Sequence, residues 1–139
     1  PSGALSAQVL ADLDLLIMNE HEAADLAGLH GFAAAEPAAL CRRMAEAFNL
    51  TAVITLGGEG AVAHDGSRPW QARALTVRPV DTTAAGDASC GALLAALDRG
   101  ADFGRALAEA CAAGSLACLA PGAQPSLPTR ATIQAALKG

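Results

Sequence analysis

Residues 80–91 read Val-Asp-Thr-Thr-Ala-Ala-Gly-Asp-Ala-Ser-Cys-Gly, and an apolar run over residues 92–97 follows directly. The small residues at 84–86 allow a tight turn and a close approach of the backbone to a ligand. A helix is predicted from Ala88, and the unpaired N–H groups at a helix start bind anions. Asp87 lies at this start, where the helix dipole favours a charged carboxylate that can accept a proton from a hydroxyl. The stretch predicts an anion-binding turn beside a general base, although an isolated Gly-Asp is more often only a charge at a helix start.

Strand and helix patterns alternate along the chain. Short apolar runs predict buried strands over 13–18 and 51–56, a hairpin over 61–64 and 70–74, and a further strand over 75–80. Helices are predicted over 23–27, 37–48, 88–98, 103–119 and 128–138. This alternation is typical of an α/β fold with three layers, in which a mainly parallel sheet is covered by helices on both faces. Asn19, Gly57 and Gly86 each follow a predicted strand, so we expect them at the edge of the sheet where ligands bind.

Composition excludes several classes of function. The 139 residues are 53% hydrophobic, which suits one folding unit with a core. A net charge of −5 and few aromatic residues argue against a nucleic-acid partner. No apolar run reaches the about eighteen residues of a membrane span. The 4 cysteines form no Cys-x-x-Cys pair and the 3 histidines have no metal-ligand spacing, so we expect reduced thiols, a cytoplasmic protein and no zinc site.

Two further motifs carry polar or glycine-rich turns. Asn19-x-x-Glu22 places two oxygen-bearing side chains at a helix start, where they suit either contact with Mg²⁺ and its waters or a capping box. Residues 55–60 read Thr-Leu-Gly-Gly-Glu-Gly, a turn that brings backbone N–H groups close to a phosphate or closes an ordinary hairpin. The lysine of a P-loop is missing from this turn.

Together these motifs resemble the ribokinase-like (PfkB) family of carbohydrate kinases, whose second signature reads Asp-Thr-Thr-Gly/Ala-Ala-Gly-Asp. The resemblance implies that Asp87 takes the proton of the sugar hydroxyl and that the amides of Ala84, Ala85 and Gly86 hold the transferring phosphoryl group. Ser89 departs from the pattern, because the family usually has an aromatic residue two positions after the base.

The same resemblance implies a nucleotide site and a cation site. Glu22 would organise Mg²⁺ and the phosphates, and the position of Cys111 would face the adenine ring. The residues implied in binding ATP and Mg²⁺ are Asn19, Glu22, Thr55, Gly57, Gly60 and Cys111. The loop over 122–128 is similar to that of the ribokinases, which hold a monovalent cation, normally K⁺; the alternative is a plain proline-rich turn. The implied cation ligands are the side chains of Asp81 and Ser126 with carbonyls near Thr83, Ala117, Ala120 and Gly122.

The resemblance leads to one expectation for the whole chain. Residues 1–139 are expected to form a single α/β unit, the ATP-binding and catalytic half of a carbohydrate kinase, with the sugar-binding and lid half absent. The opening residues, Pro1–Leu5, lack the Gly-Gly signature of that other half. The activity of the complete kinase would be ATP-dependent phosphorylation of a sugar hydroxyl, with a ribose-like acceptor favoured. The isolated chain is expected to be inactive. A homodimer is one expected assembly of the full-length enzyme.

Three alternatives remain open at this point. The chain could bind nucleotide without catalysis, or belong to a kinase of the same fold that phosphorylates a fructose derivative, a nucleoside or a vitamin alcohol. The third alternative is a scaffold without enzymatic activity, which Asp87 at the helix start argues against.

Overall fold

The computed structural model describes residues 5–33 and 35–139. The helices are α1 (Ala7–Ala11), α2 (Glu20–Leu29), α3 (Pro37–Phe48), α4 (Ala85–Asp98), α5 (Phe103–Ala117) and α6 (Arg130–Lys138). The strands are β1 (Leu15–Asn19), β2 (Thr51–Thr55), β3 (Ala61–His64) and β4 (Pro69–Ala72), and short 3-10 turns cover Gly57–Glu59 and Gln124–Ser126. Residues 1–4, which make up most of the opening stretch considered in the sequence analysis, lie outside the described residues.

The first of two compact units comprises the described residues up to Leu56 together with Val62–Trp70. Strands β1 and β2 are parallel, with Leu15 opposite Thr51 and Asn19 opposite Thr55. The predicted apolar face of α3 is confirmed, since Leu40, Met44 and Phe48 are all buried in the core of this unit. Their four-residue spacing turns one side of α3 toward the core.

The sheet follows chain order, β1-β2-β3-β4. A four-residue connection, with the amide of Asp65 donating to the carbonyl of Arg68 at 3.3 Å, joins β3 to β4. Such short connections suit only antiparallel neighbours, because parallel strands need a crossover of about a dozen residues. The sheet of the described residues is therefore mixed, with its parallel pairing in β1 and β2.

The second unit comprises Gly57–Ala61 and Gln71–Gly139. Its apolar cluster is built mainly from small side chains on α4, α5 and α6, namely Ala88, Ala112, Ala113, Ala117 and Ile133. Helix α4 begins at Ala85, three residues before the predicted start, and the amide of Ala88 already donates to the carbonyl of Ala84 at 2.9 Å. The first helical turn therefore includes Asp87.

The predicted strand over 75–80 is wrong, because the described residues contain no strand there. Backbone donors of this extended segment bond instead to the end of α5. The amide of Leu75 donates to Ser115 Oγ at 3.0 Å, and the amide of Val80 donates to the carbonyl of Cys118 at 2.7 Å. Gly86 consequently follows an extended loop rather than a strand.

None of the four cysteines is in a disulfide bond; Cys41, Cys111 and Cys118 are buried and Cys90 is half-buried. Burial raises the pKa of Cys41 to about 12 and that of Cys111 to about 11. Among the described helices, none has the length and apolarity needed to cross a bilayer.

Candidate active site

The start of α4 presents an exposed carboxylate next to unpaired amides. Asp87 is exposed and occupies the first turn of the helix. The amides of Gly86 and Asp87 donate no hydrogen bond to the residues that the structure describes, whereas the amide of Ala85 donates to the carbonyl of Thr82 at 3.2 Å. Unpaired N–H groups at a helix start attract anions. The arrangement can therefore hold an anionic group beside a solvent-accessible proton acceptor.

Asp81 connects the segment before α4 to the loop after α5. Its Oδ1 accepts from the amide of Thr83 at 2.9 Å and from the hydroxyl of Thr83 at 2.6 Å. Its Oδ2 accepts from the amide of Gly122 at 2.9 Å. The Thr83 hydroxyl, and then the Gly122 and Thr83 amides, lower the pKa of Asp81 to about 2 because they stabilise the charged carboxylate.

The residues implied as cation ligands are only partly joined by contacts. Asp81, Thr83 and Gly122 share the hydrogen bonds just described. Ser126 is buried, and its hydroxyl donates to the carbonyl of Ala123 at 2.8 Å. Ala117 is the last residue of α5 and Ala120 follows it in the loop. Over residues 5–33 and 35–139, no three His, Cys, Asp or Glu side chains group as metal ligands, so a cation here would depend largely on carbonyl oxygens.

The Asn19-x-x-Glu22 motif forms a capping box in the first unit. The amide of Glu22 donates to Asn19 Oδ1 at 2.8 Å, and the amide of Asn19 donates to Glu22 Oε2 at 2.9 Å. The helix-cap alternative is thus what the contacts show, and it fixes an exposed Glu22 at the start of α2. Thr55 lies opposite Asn19 at the ends of the two parallel strands.

Gly60 and Cys111, both implied in nucleotide binding, meet at the carbonyl of Ala72. The thiol of Cys111 donates to this oxygen at 3.7 Å. Gly60 has φ +112°, and a Cβ there would overlap the Ala72 oxygen and lie 2.8 Å from the amide nitrogen of Ala74. The backbone therefore requires glycine at 60 before any ligand is considered. Gly57 also has a positive φ, +54°, with open space around it.

Glu109 is a buried charged residue that the sequence analysis did not predict. Its Oε2 accepts from Arg99 Nη2 at 2.7 Å and its Oε1 from Arg105 Nε at 3.1 Å. Arg105 and Glu109 are four residues apart on one helix, and this spacing alone predicts an ion pair between them. The pair with Arg99, at the end of α4, has no such signal because it depends on how α4 and α5 pack.

The chain has an α/β fold, and its motifs resemble those of kinases that transfer phosphoryl groups to alcohols. The sequence profile described as pfkB family carbohydrate kinase matches residues 1–130. The chain belongs to this family, as the motifs predicted.

Relatives and solved structures agree with this assignment. The ribokinase of Haemophilus influenzae is 33% identical over 134 residues, which cover 94% of this chain and 42% of that protein. The ribokinase structure from Thermotoga maritima superposes with a TM-score of 0.90 at 28% identity and covers 100% of this chain and 47% of that one. The Arabidopsis thaliana ribokinase complexed with ribose and ATP has a TM-score of 0.83 at 28% identity over 97% of this chain and 44% of that one. The ribokinase-like fold is confirmed, and the chain spans less than half the length of these proteins.

Proposed function

We propose that residues 1–139 supply the ATP-binding and catalytic half of a carbohydrate kinase that phosphorylates a sugar hydroxyl, with a ribose-like acceptor favoured. The observation that carries this proposal is the exposed carboxylate of Asp87 beside the unpaired amides of Gly86 and Asp87 at the start of α4. Membership of the pfkB family supports it, as does the likeness to a ribokinase that binds ribose and ATP.

In this proposal Asp87 accepts the proton of the acceptor hydroxyl as its oxygen bonds to the γ-phosphorus of ATP and the bond to the leaving ADP oxygen breaks. The amides of the turn over 84–86 stabilise the charge on the transferring group. Ala85 contributes least to this stabilisation, since its amide also bonds to Thr82. Phosphoryl transfer depends chiefly on positioning and electrostatic stabilisation, so a base and a set of fixed amides can carry much of the catalysis.

Two cations belong to the proposal. Glu22, which the capping box holds in place through Oε2, would use its other oxygen toward Mg²⁺ and its waters, and oxygen donors suit this hard cation. Bound Mg²⁺ neutralises phosphate charge. The all-oxygen set implied around Asp81 and Ser126 likewise suits K⁺, and Asp81 keeps the ends of that loop together by hydrogen bonds.

The proposal also assigns a set of residues to ATP binding: Asn19, Thr55, Gly57, Gly60 and Cys111. Because the chain spans less than half the length of the ribokinases described above, we propose that the isolated chain binds nucleotide without turnover. Calorimetry with ATP·Mg²⁺, run beside a sugar-dependent assay of ADP release, separates binding from catalysis. Running that assay with D-ribose, a fructose phosphate and a nucleoside distinguishes the acceptor classes.

The deciding experiment replaces the proposed base in the complete enzyme. Asp87→Asn and Asp87→Ala are expected to lower kcat by about 10²- to 10⁴-fold with little change in nucleotide affinity, because the base acts on the acceptor hydroxyl. Asp98→Asn, at the exposed far end of the same helix, is the matched control and is expected to retain kcat. Turnover near that of the wild type in both Asp87 variants would exclude the base role.

A further inference from the structure

Helix α5 approaches the first two turns of α4 closely at Gly114, where a side chain would meet Ala85 and Ser89. A Cβ built on Gly114 would overlap the hydroxyl oxygen of Ser89 and lie 3.1 Å from the carbonyl oxygen of Ala85. Ala85 is the first residue of α4, and Ser89 lies one turn further along. This approach of α5 is therefore made to the helix start that carries Asp87.

Neighbouring side chains leave this contact little freedom to adjust. Ala88, between the two residues that Gly114 meets, is buried in a cluster with Ala112 and Ala113 of α5. Ala84, which precedes the helix, is 2% exposed. The Ser89 hydroxyl is the end of a side chain and can rotate, but the Ala85 carbonyl oxygen is backbone and lies 3.1 Å from the built Cβ. An added methyl group is therefore expected to shift this carbonyl by a few tenths of an ångström.

The backbone that would move is that of the candidate anion site. The carbonyl of Ala85 faces Gly114, and its amide bonds to the carbonyl of Thr82. The next two amides, of Gly86 and Asp87, are the unpaired ones. A displacement of Ala85 is therefore passed directly to the proposed phosphoryl-binding turn.

We propose that Gly114 is a positioning residue for the start of α4: its missing side chain, matched by the small Ser89, sets where Gly86 and Asp87 lie. Gly114 touches no substrate and acts through Ala85 and Ser89. This inference rests on the proposed function for its effect on catalysis, whereas its structural part, the placement of the two amides, does not.

The pairing with Ser89 provides a rescue test. In Gly114→Ala the new methyl group meets both the Ser89 hydroxyl and the Ala85 carbonyl, whereas in Ser89→Ala/Gly114→Ala the shorter of the two contacts is gone. The Ser89 Cβ lies an ordinary 3.7 Å from the built position. Without the hydroxyl, the added methyl group has room on the Ser89 side and can move away from the Ala85 carbonyl, so the double variant is expected to recover much of what the single variant loses.

The matched control is Gly91→Ala. Gly91 is an exposed glycine of α4, and a Cβ built there meets nothing within 4 Å. This substitution adds the same methyl group to the helix bearing the site without any contact, so it is expected to leave turnover unchanged.

The experiment measures kcat and KM of the complete enzyme, with the amide NMR resonances of Gly86 and Asp87 recorded on the same samples. In Gly114→Ala we expect the two resonances to shift and kcat to fall by about ten- to hundredfold, while KM for the acceptor changes little. Ser89→Ala alone is expected to match the wild type, and the double variant is expected to restore the resonances and most of kcat. If Gly114→Ala fails to fold, the same comparison is made between the double variant and Ser89→Ala.

Two outcomes would overturn the inference. One is an unshifted pair of resonances with wild-type kcat in Gly114→Ala, and the other is a loss that the Ser89→Ala change leaves fully in place. A wild-type enzyme without phosphoryl transfer would instead refute the proposed function, and the resonances would still decide whether Gly114 positions the turn.

Discussion

The carboxylate of Asp81 and the amide of Gly122 are 2.9 Å apart, although 41 positions separate them in the chain. Gly122 has φ +91°, a conformation that favours glycine, and the other oxygen of Asp81 is bonded to Thr83. Asp81 thus fastens the loop after α5 to the segment that leads into α4. The loop and the turn bearing Asp87 are expected to respond together to whatever binds between Asp81 and Ser126.

If a monovalent cation binds between Asp81 and Ser126, the kcat of the complete enzyme is expected to depend on which monovalent cation the buffer contains. At equal ionic strength, the complete enzyme is expected to turn over faster in potassium chloride than in tetramethylammonium chloride, because the bulky cation is too large for the proposed site. Asp81→Ala should lose this difference, since it removes a proposed ligand and releases Gly122. Steady-state kcat in the two salts is the measurement, with Asp98→Asn as the control for loss of an acidic side chain. Equal rates for the wild type in both salts would contradict the cation site.

Local chemistry explains why the helix start after the turn at residues 84–86, and the acid on it, could be predicted. The Asp-Thr-Thr-Ala-Ala-Gly-Asp segment has its turn, its helix start and its acid within a few residues, so the sequence displays them together. The apolar face of α3 is equally local, since Leu40, Met44 and Phe48 repeat at the helical period. The capping box of Asn19 and Glu22, one of the two interpretations that the motif allows, is likewise formed between residues three positions apart.

The features that could not be predicted depend on partners distant in sequence. Residues 75–80 have a strand-like composition, yet strand formation requires a neighbouring strand, and the backbone donors of Leu75 and Val80 bond to α5 instead. The pair of Arg99 with Glu109 and the approach of Gly114 to Ser89 likewise exist only once α4 and α5 pack. A single sequence carries no signal for such contacts.

Glu109 is expected to stabilise the second unit through its two arginine partners. Its side chain is 6% exposed, whereas those of Arg99 and Arg105 are 31% and 45% exposed. Glu109→Gln leaves both guanidinium groups without the carboxylate, and their partial exposure limits the penalty to about 1–3 kcal/mol of unfolding free energy. Urea denaturation checks this value. Asp98→Asn, one residue from Arg99, is the matched control and is expected to change stability by less than about 0.5 kcal/mol; an equal effect of both variants would show that the ion pairs contribute nothing specific.

Gly60 is expected to be intolerant of a side chain for reasons of backbone geometry. Its φ of +112° and the overlap of a Cβ with the Ala72 carbonyl both oppose Gly60→Ala, which should lower the unfolding free energy by about 2 kcal/mol or more. Gly58→Ala, two residues earlier, is the control, because a Cβ there meets nothing within 4 Å and its φ is not positive. Thermal unfolding of the two variants compares them directly, and a Gly60→Ala protein as stable as Gly58→Ala would refute the geometric requirement.

The hydrogen bonds of Asp65 are expected to make the stability of the first unit depend on pH. Its Oδ1 accepts from the amides of Ser67 at 2.8 Å and Arg68 at 2.7 Å in the turn between β3 and β4. The Arg68 amide, and then the Ser67 amide, lower the pKa of Asp65 because they stabilise its charged form. A carboxyl group whose pKa is lower in the folded state contributes stability that is complete above its unfolded pKa, about 3.9, and disappears as the pH falls through the folded value.

Asp65→Asn separates this contribution from the other carboxyl groups of the chain. The amide side chain keeps an oxygen acceptor for both N–H groups but carries no charge, so the variant is expected to melt at a lower temperature than the wild type at pH 7. As the pH falls below about 4, the wild type alone loses the charge at position 65, and the two melting temperatures are expected to converge. Calorimetric scans of both proteins between pH 7 and pH 3 measure this difference. A gap in melting temperature that stays constant down to pH 3, or widens there, would show that the charge on Asp65 does not stabilise the turn.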